Sequence, residues 1–193
     1  MSYFFRDIKF EHAAWFHVAE NVISESTLKK VDDYMKTQQV KKATMYSPTG
    51  EVTDSNVRVA NVFWLKDKSL GSVYQEITTI TREINNQLWE LNLEGWEPFQ
   101  YTEYPVGGHC EWHMDSFARV DGPMQRKVSI SVGLTDDYEG GEIQLKTSHE
   151  ENAYKLKRGD IIVFPSFILH RVAPVTKGLR KVIVGWSQGV NFI

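Results

Sequence analysis

The sequence predicts an α+β, mainly β chain in which helices pack against one side of a β-sandwich or barrel. Three observations lead there. Apolar residues of the first half recur at helical spacing, the period drops to two after Trp96, and turn sequences separate the later runs at short intervals. With helices only upstream of these runs, they are expected to cover one sheet face.

The helical elements come first. Leu28, Val31, Tyr34 and Met35 recur at helical spacing behind the N-cap candidates Ser24 and Ser26. Val73, Ile77, Ile80, Ile84 and Leu88 form one stripe, with Gln75, Thr79, Arg82 and Asn86 around the rest, so this helix must bury its apolar side. Between the two, Ser47-Pro48-Thr49-Gly50 is turn chemistry, and 58–65 reads as one strand. The later strands are 99–104, 109–115, 128–134, 142–145, 160–164 and 181–187, separated by glycine-bearing turns such as Glu139-Gly140-Gly141 and Arg158-Gly159-Asp160.

Composition removes several classes. A length of 193 residues fits one domain with one core. The net charge of −3 gives no electrostatic support for nucleic-acid binding. The one cysteine, Cys110, rules out an intrachain disulfide and suits the reducing cytoplasm. Arg6, Asp7, Lys9 and Glu11 interrupt the apolar start, so it does not read as a signal peptide. No run approaches the roughly 20 apolar residues that a membrane span requires.

The chemistry concentrates after residue 100. Glu111-Trp112-His113-Met114-Asp115 holds a His-x-Asp pair. On a strand, residues i and i+2 face the same way, about 6.6 Å apart, so an imidazole and a carboxylate can converge on one metal ion. His170, just after the 161–164 strand and the Pro165-Ser166 turn, is the natural third ligand. Two histidines and a carboxylate leave three coordination positions open, the donor set of O₂-activating ferrous sites. Arg180 lies ten residues further, at the start of the last strand, where a guanidinium can pair with a carboxylate. Tyr104, nine residues before His113, can donate to the same group. Ser129, Ser131 and Gly133 share one strand face and leave room for a polar ligand.

The order Tyr104, His113-x-Asp115, Gly140-Gly141-Glu142, Gly159-Asp160, Phe164-Pro165, His170 and Arg180 resembles the 2-oxoglutarate/Fe(II) oxygenase superfamily, in particular its prolyl 4-hydroxylase-type branch with the PKHD-type hydroxylases. The resemblance runs from about Phe99 to Ser187. It implies a double-stranded β-helix, a jelly-roll and cupin-like fold, in which 99–193 is the catalytic core, 1–98 a helical support with leading strands, and the last strand begins beside the metal-bearing one. It further implies a dioxygenase that uses Fe(II), 2-oxoglutarate and O₂, with ascorbate as a candidate reductant and a prolyl or other residue of a protein or peptide as candidate substrate. His113, Asp115 and His170 resemble the iron ligands, Arg180 and Tyr104 the groups on the distal carboxylate of 2-oxoglutarate, with Ser131 beside them. Trp186 resembles a tryptophan found at the site in several relatives. Some prolyl hydroxylases carry a second tyrosine where this chain has Gly133. Arg58, Trp112, Trp186 and the loop 116–127 are candidate substrate contacts, the loop as a lid; His109 and Glu111 share strand parity with His113. Two alternatives differ in one residue each. A cupin-like metal protein that does not use 2-oxoglutarate has no need of Arg180, and a nucleic-acid dealkylating oxygenase should carry a second arginine where Lys181 and an apolar strand follow.

Overall fold

Alternation along each strand decides which of two neighbours it meets. In the strand Ile161–Pro165, Ile161 and Val163 join one buried cluster while Ile162 and Phe164 join another on the opposite face. The computed structural model describes residues 14–47, 50–52, 54–116, 124–148 and 150–190. The charged N-terminal stretch at residues 6–11 and the turn residues Pro48 and Thr49 lie outside them.

Two antiparallel sheets stack into the expected double-stranded β-helix. The larger runs in the order β1 (His17–Ala19), β14 (Ile161–Pro165), β10 (Met124–Gly133), β17 (Arg180–Val190), β8 (Phe99–Tyr104), β6 (Asn61–Leu65) and β2 (Lys41–Lys42), with β7 (Gly95–Trp96) beside β17. The smaller runs β13 (Glu151–Tyr154), β12 (Ile143–Lys146), β15 (Leu169–Val172), β9 (His109–His113) and β5 (Arg58–Val59). β3 (Met45–Ser47) pairs with β4 (Gly50–Val52), and β11 (Tyr138–Gly140) with β16 (Val175–Gly178).

The helices α1 (Glu25–Met35) and α2 (Gly71–Leu88) cover the outer face of the larger sheet. Leu28 and Val31 of α1 and Val73, Ile77 and Ile84 of α2 pack there with Phe99, Tyr101, Ile130, Val132 and Ile183. Full burial of each such side chain contributes about 2 kcal/mol, so this layer is a principal source of stability. Of the two cap candidates Ser24 is the one used: its hydroxyl accepts from the Thr27 amide, while Ser26 falls inside the helix. Glu76 of α2 accepts from the Ser24 amide at 2.7 Å and its hydroxyl at 2.8 Å, which ties the start of α1 to α2.

Three expectations change. The 58–65 strand breaks at Ala60: β5 pairs with β9 in the smaller sheet and β6 with β8 in the larger. An unbroken apolar run does not show where a chain crosses from one sheet to the other. β10 begins at Met124, so the loop expected over 116–127 is shorter at its far end, and residues 117–123 lie outside the described ones. β17, expected beside the metal-bearing strand, lies in the larger sheet between β10 and β8, and its inward residues face the smaller sheet across the sandwich.

Gly133 ends β10 under a close backbone approach. A Cβ built there falls 2.0 Å from the Lys157 carbonyl oxygen and 2.8 Å from its carbon. Position 133 therefore has no room for a tyrosine, or for any side chain, without moving the 156–158 segment. Gly133→Ala is expected to destabilise the chain by about 3 kcal/mol, read as a lower urea midpoint at unchanged slope.

Candidate metal centre

The site begins with an irregular ladder. His170 of β15 pairs with His113 of β9, but Val172 pairs with Cys110, so β9 carries one extra residue between these partners. This bulge resets strand parity. Cys110 and His113, three positions apart, both line one cavity between the sheets. His109 and Glu111, expected to share the His113 face, do not line it. The two imidazoles lie 4.3 Å apart, centroid to centroid, with their planes tilted by 49°. His170, placed by sequence in a segment after a turn, sits within its own strand.

Asp115 lies beyond the last residue of β9, so strand alternation does not aim it. Its amide donates to the Ser166 carbonyl at 2.9 Å, and the Ser129 hydroxyl donates to its Oδ2 at 2.8 Å. Ser129 also bonds the Ser166 hydroxyl at 2.8 Å. Both imidazoles are held at Nδ1 by a carbonyl two residues upstream, Glu111 for His113 at 2.7 Å and Ile168 for His170 at 2.9 Å. Those bonds fix the ring orientation and leave each Nε2 facing the carboxylate, 3.6 Å from Oδ1 for His113 and 3.5 Å from Oδ2 for His170. Ligand atoms of the three residues lie within 4.8 Å of one another. Two carbonyl-braced imidazoles and one hydroxyl-braced carboxylate fit a divalent first-row ion with open positions, Fe(II) included.

Electrostatics points the same way. Burial, the largest influence on Asp115, favours its neutral form, yet His170, His113, the Ser129 hydroxyl and Arg126 together hold its carboxyl below the usual range. Burial holds His170 down, whereas His113, against burial, is pushed up to about 9 by Cys110, Asp115 and the Glu111 carbonyl. Asp115 is thus held ionised between the two imidazoles, and a bound cation meets that buried negative charge.

A second polar pole lies in the same cavity. Arg180 opens β17 opposite Tyr104, which closes β8. Arg180 is 1% exposed, its guanidinium carbon lies 5.0 Å from the Tyr104 ring, and its Nε and Nη1 have no hydrogen-bond partner among the described residues. A Cβ on Gly141 (φ +67°) would come within 3.0 Å of Arg180 Cδ and 2.8 Å of Val175 Cγ2, so this glycine gives the arginine stem its passage. Burial, the largest influence, raises the Tyr104 phenol against the pull of Arg58 and Arg180 and keeps it a neutral donor. Ser131 and Trp186 line the cavity, as does Arg58, which reaches in from β5. Arg126 stacks 4.0 Å over the Trp186 ring and is held by Glu97 through two 2.6 Å bonds. Trp112 is not among the cavity residues: its ring lies against Lys146 and Arg171. Sequence reading missed Cys110, because the bulge has no signature in residue types. It also missed the Arg126–Glu97 pair, which joins residues 29 positions apart.

Ser129 positions the carboxylate without occupying a ligand place. Ser129→Ala is expected to keep the fold and weaken metal binding roughly tenfold, measured by competition with a chromogenic chelator.

Residues 99–188 match the model of the 2OG-Fe(II) oxygenase superfamily. A PKHD-type hydroxylase of Gloeothece citriformis is 41% identical over 92 residues, 47% of this chain and 42% of that protein. The chain spans about two-fifths of the length of such relatives. A Pseudomonas putida prolyl-4-hydroxylase superposes with a TM-score of 0.73 at 19% identity, covering 92% of this chain and 94% of its own. A Trichoplax adhaerens prolyl hydroxylase, solved with a peptide fragment of a hypoxia inducible factor, gives 0.71 at 16% identity, covering 90% and 83%. Both structures share the double-stranded β-helix with this chain, and its residues 99–188 are similar to the 2OG-Fe(II) oxygenase superfamily and to the PKHD-type hydroxylases.

Proposed function

We propose that this chain is an Fe(II)- and 2-oxoglutarate-dependent dioxygenase that hydroxylates a prolyl or other residue of a protein or peptide. The observation that carries the proposal is the buried Arg180 guanidinium, with two unpartnered nitrogens, in the cavity lined by His113, Asp115 and His170. An unpaired buried cation is costly, and the carboxylate of a bound dicarboxylate offsets that cost. When bound, Fe(II) and 2-oxoglutarate supply the chemistry: O₂ is consumed as the keto acid loses CO₂, one oxygen atom entering succinate and the other the substrate C–H bond.

The chain's own residues have separate tasks in this reading. His113 and His170 offer Nε2, and Asp115 a carboxylate oxygen, to one side of the metal. Arg180 and Tyr104 bind the distal carboxylate, and Ser131 lines the wall beside them. Trp186, fixed by the Arg126 stack, shapes the mouth where the substrate residue enters. A peptide substrate is supported by the Trichoplax neighbour, whose own structure holds one. Ascorbate is the candidate reductant that keeps the iron ferrous. We read the chain as one domain in which 1–98 supports 99–193, since α1 and α2 pack on the larger sheet. A cytoplasmic setting accords with the single cysteine; among the described residues no helix is long and apolar enough to cross a membrane.

The alternatives fare less well. A cupin-like metal protein that does not use 2-oxoglutarate leaves Arg180 unexplained. A nucleic-acid dealkylating oxygenase lacks its second arginine here: Lys181 turns to Glu103, 3.8 Å away.

The test is calorimetric titration of 2-oxoglutarate into anaerobic, Fe(II)-loaded variants. Arg180→Ala should weaken binding by about 2 kcal/mol, roughly thirtyfold, with metal affinity unchanged. Arg180→Lys should fall between, and Tyr104→Phe should cost about 1 kcal/mol. Unaltered binding by Arg180→Ala contradicts the proposal.

A further inference from the structure

Arg58 enters the cavity from the sheet opposite Arg180. It lies in β5, the edge strand of the smaller sheet, paired with Cys110. Its Nη2 donates to Gln100 Oε1 at 2.8 Å, and Gln100 is 4% exposed and also accepts from Thr102 at 3.3 Å. Its Nε is buried and has no partner among the described residues. A neutral amide orients this guanidinium but cannot neutralise it.

Two other half-buried arginines have acids, whereas Arg171 bonds Gln144 and lies over the Trp112 ring. Arg126 pairs with Glu97, and Arg158 with Glu25 and Asp32. Among the described residues, neither Arg58 nor Arg180 has a carboxylate within the 4.0 Å that defines those pairs. The cavity's own carboxylate, Asp115, is occupied by two imidazoles and the Ser129 hydroxyl. Both arginines act on the same Tyr104 phenol, Arg58 more strongly than Arg180. Among the described residues, one cavity thus holds two guanidinium groups, three buried nitrogens without partners, and no carboxylate paired with either guanidinium.

We propose that Arg58 is a second cationic contact for the dicarboxylate that Arg180 anchors, so that 2-oxoglutarate lies between two guanidinium groups from opposite sheets. This rests on the reading of the cavity as a 2-oxoglutarate site. It assigns Arg58 to the co-substrate and away from the prime substrate, where sequence alone placed it. The two arginines then select a five-carbon diacid over a monoacid of similar length, because the second carboxylate meets the second cation.

The experiment compares glutarate with butyrate, neither of which has a keto oxygen to chelate metal. Each is titrated calorimetrically into the Mn(II)-loaded full chain. The parent should bind glutarate at least tenfold more tightly than butyrate. Arg58→Gln should lose about tenfold in glutarate affinity and little in butyrate affinity, with Arg58→Lys between. The melting temperature of ligand-free Arg58→Gln should equal or exceed that of the parent, because the variant removes an unpaired cation; a merely structural arginine would lower it. If Arg58→Gln binds glutarate like the parent while Arg180→Gln is weakened, the inference fails and the 2-oxoglutarate reading stands. If Arg180→Gln also binds like the parent, or the parent does not distinguish the two acids, both are overturned.

Discussion

His113 and His170 face each other across the ladder between β9 and β15, and that register is the constraint on which the site depends. A one-residue slip in a strand turns its side chains to the other face. Here the slip is built in: the bulge between Cys110 and His113 lets both side chains face inward from positions of opposite parity. The carbonyls of Glu111 and Ile168 then fix the two rings, and Asp115 is brought in by Ser166 and Ser129 from outside the strand. The donor trio is pre-formed by backbone register and buried hydroxyls, so little order remains to be imposed when a metal binds.

The larger sheet divides the remaining work by strand parity. Phe99, Tyr101 and Ile183 point to the helices and carry the hydrophobic core. Gln100, Tyr104, Arg180 and Trp186 serve the cavity or its immediate support from the same two strands, β8 and β17. Stability and chemistry are therefore coupled at close quarters. The apolar layer backs the sheet that presents a buried guanidinium, and that guanidinium is a standing cost in the absence of an anion. Gly141 and Gly133 mark places where this packing leaves no space for a Cβ.

Much of this was legible in the sequence. The stripe from Val73 to Leu88 and the strand Phe99–Tyr104 follow from period, because burial imposes those periods directly; the trio His113, Asp115 and His170 could be named from residue types and their order, although strand alternation does not aim Asp115. What was hidden depends on long-range geometry. The break at Ala60 reflects a crossing between sheets, and the β9 bulge is a property of pairing, not of residue type. Trp112 resembled a site residue because it neighbours His113, yet it lies against Lys146 and Arg171. Arg58 could be named as a candidate contact from the sequence, but its burial, its bond to Gln100 and its lack of an acid could not.

The central claim is that one cavity holds a metal and 2-oxoglutarate together, in contact. Anaerobic Fe(II) and 2-oxoglutarate added to the chain should produce a visible charge-transfer absorption band that neither gives alone. The band should vanish in His170→Ala, and in Arg180→Ala it should return only at much higher 2-oxoglutarate concentration. Saturation with both components and no such band would mean that they bind apart, and the account would be contradicted.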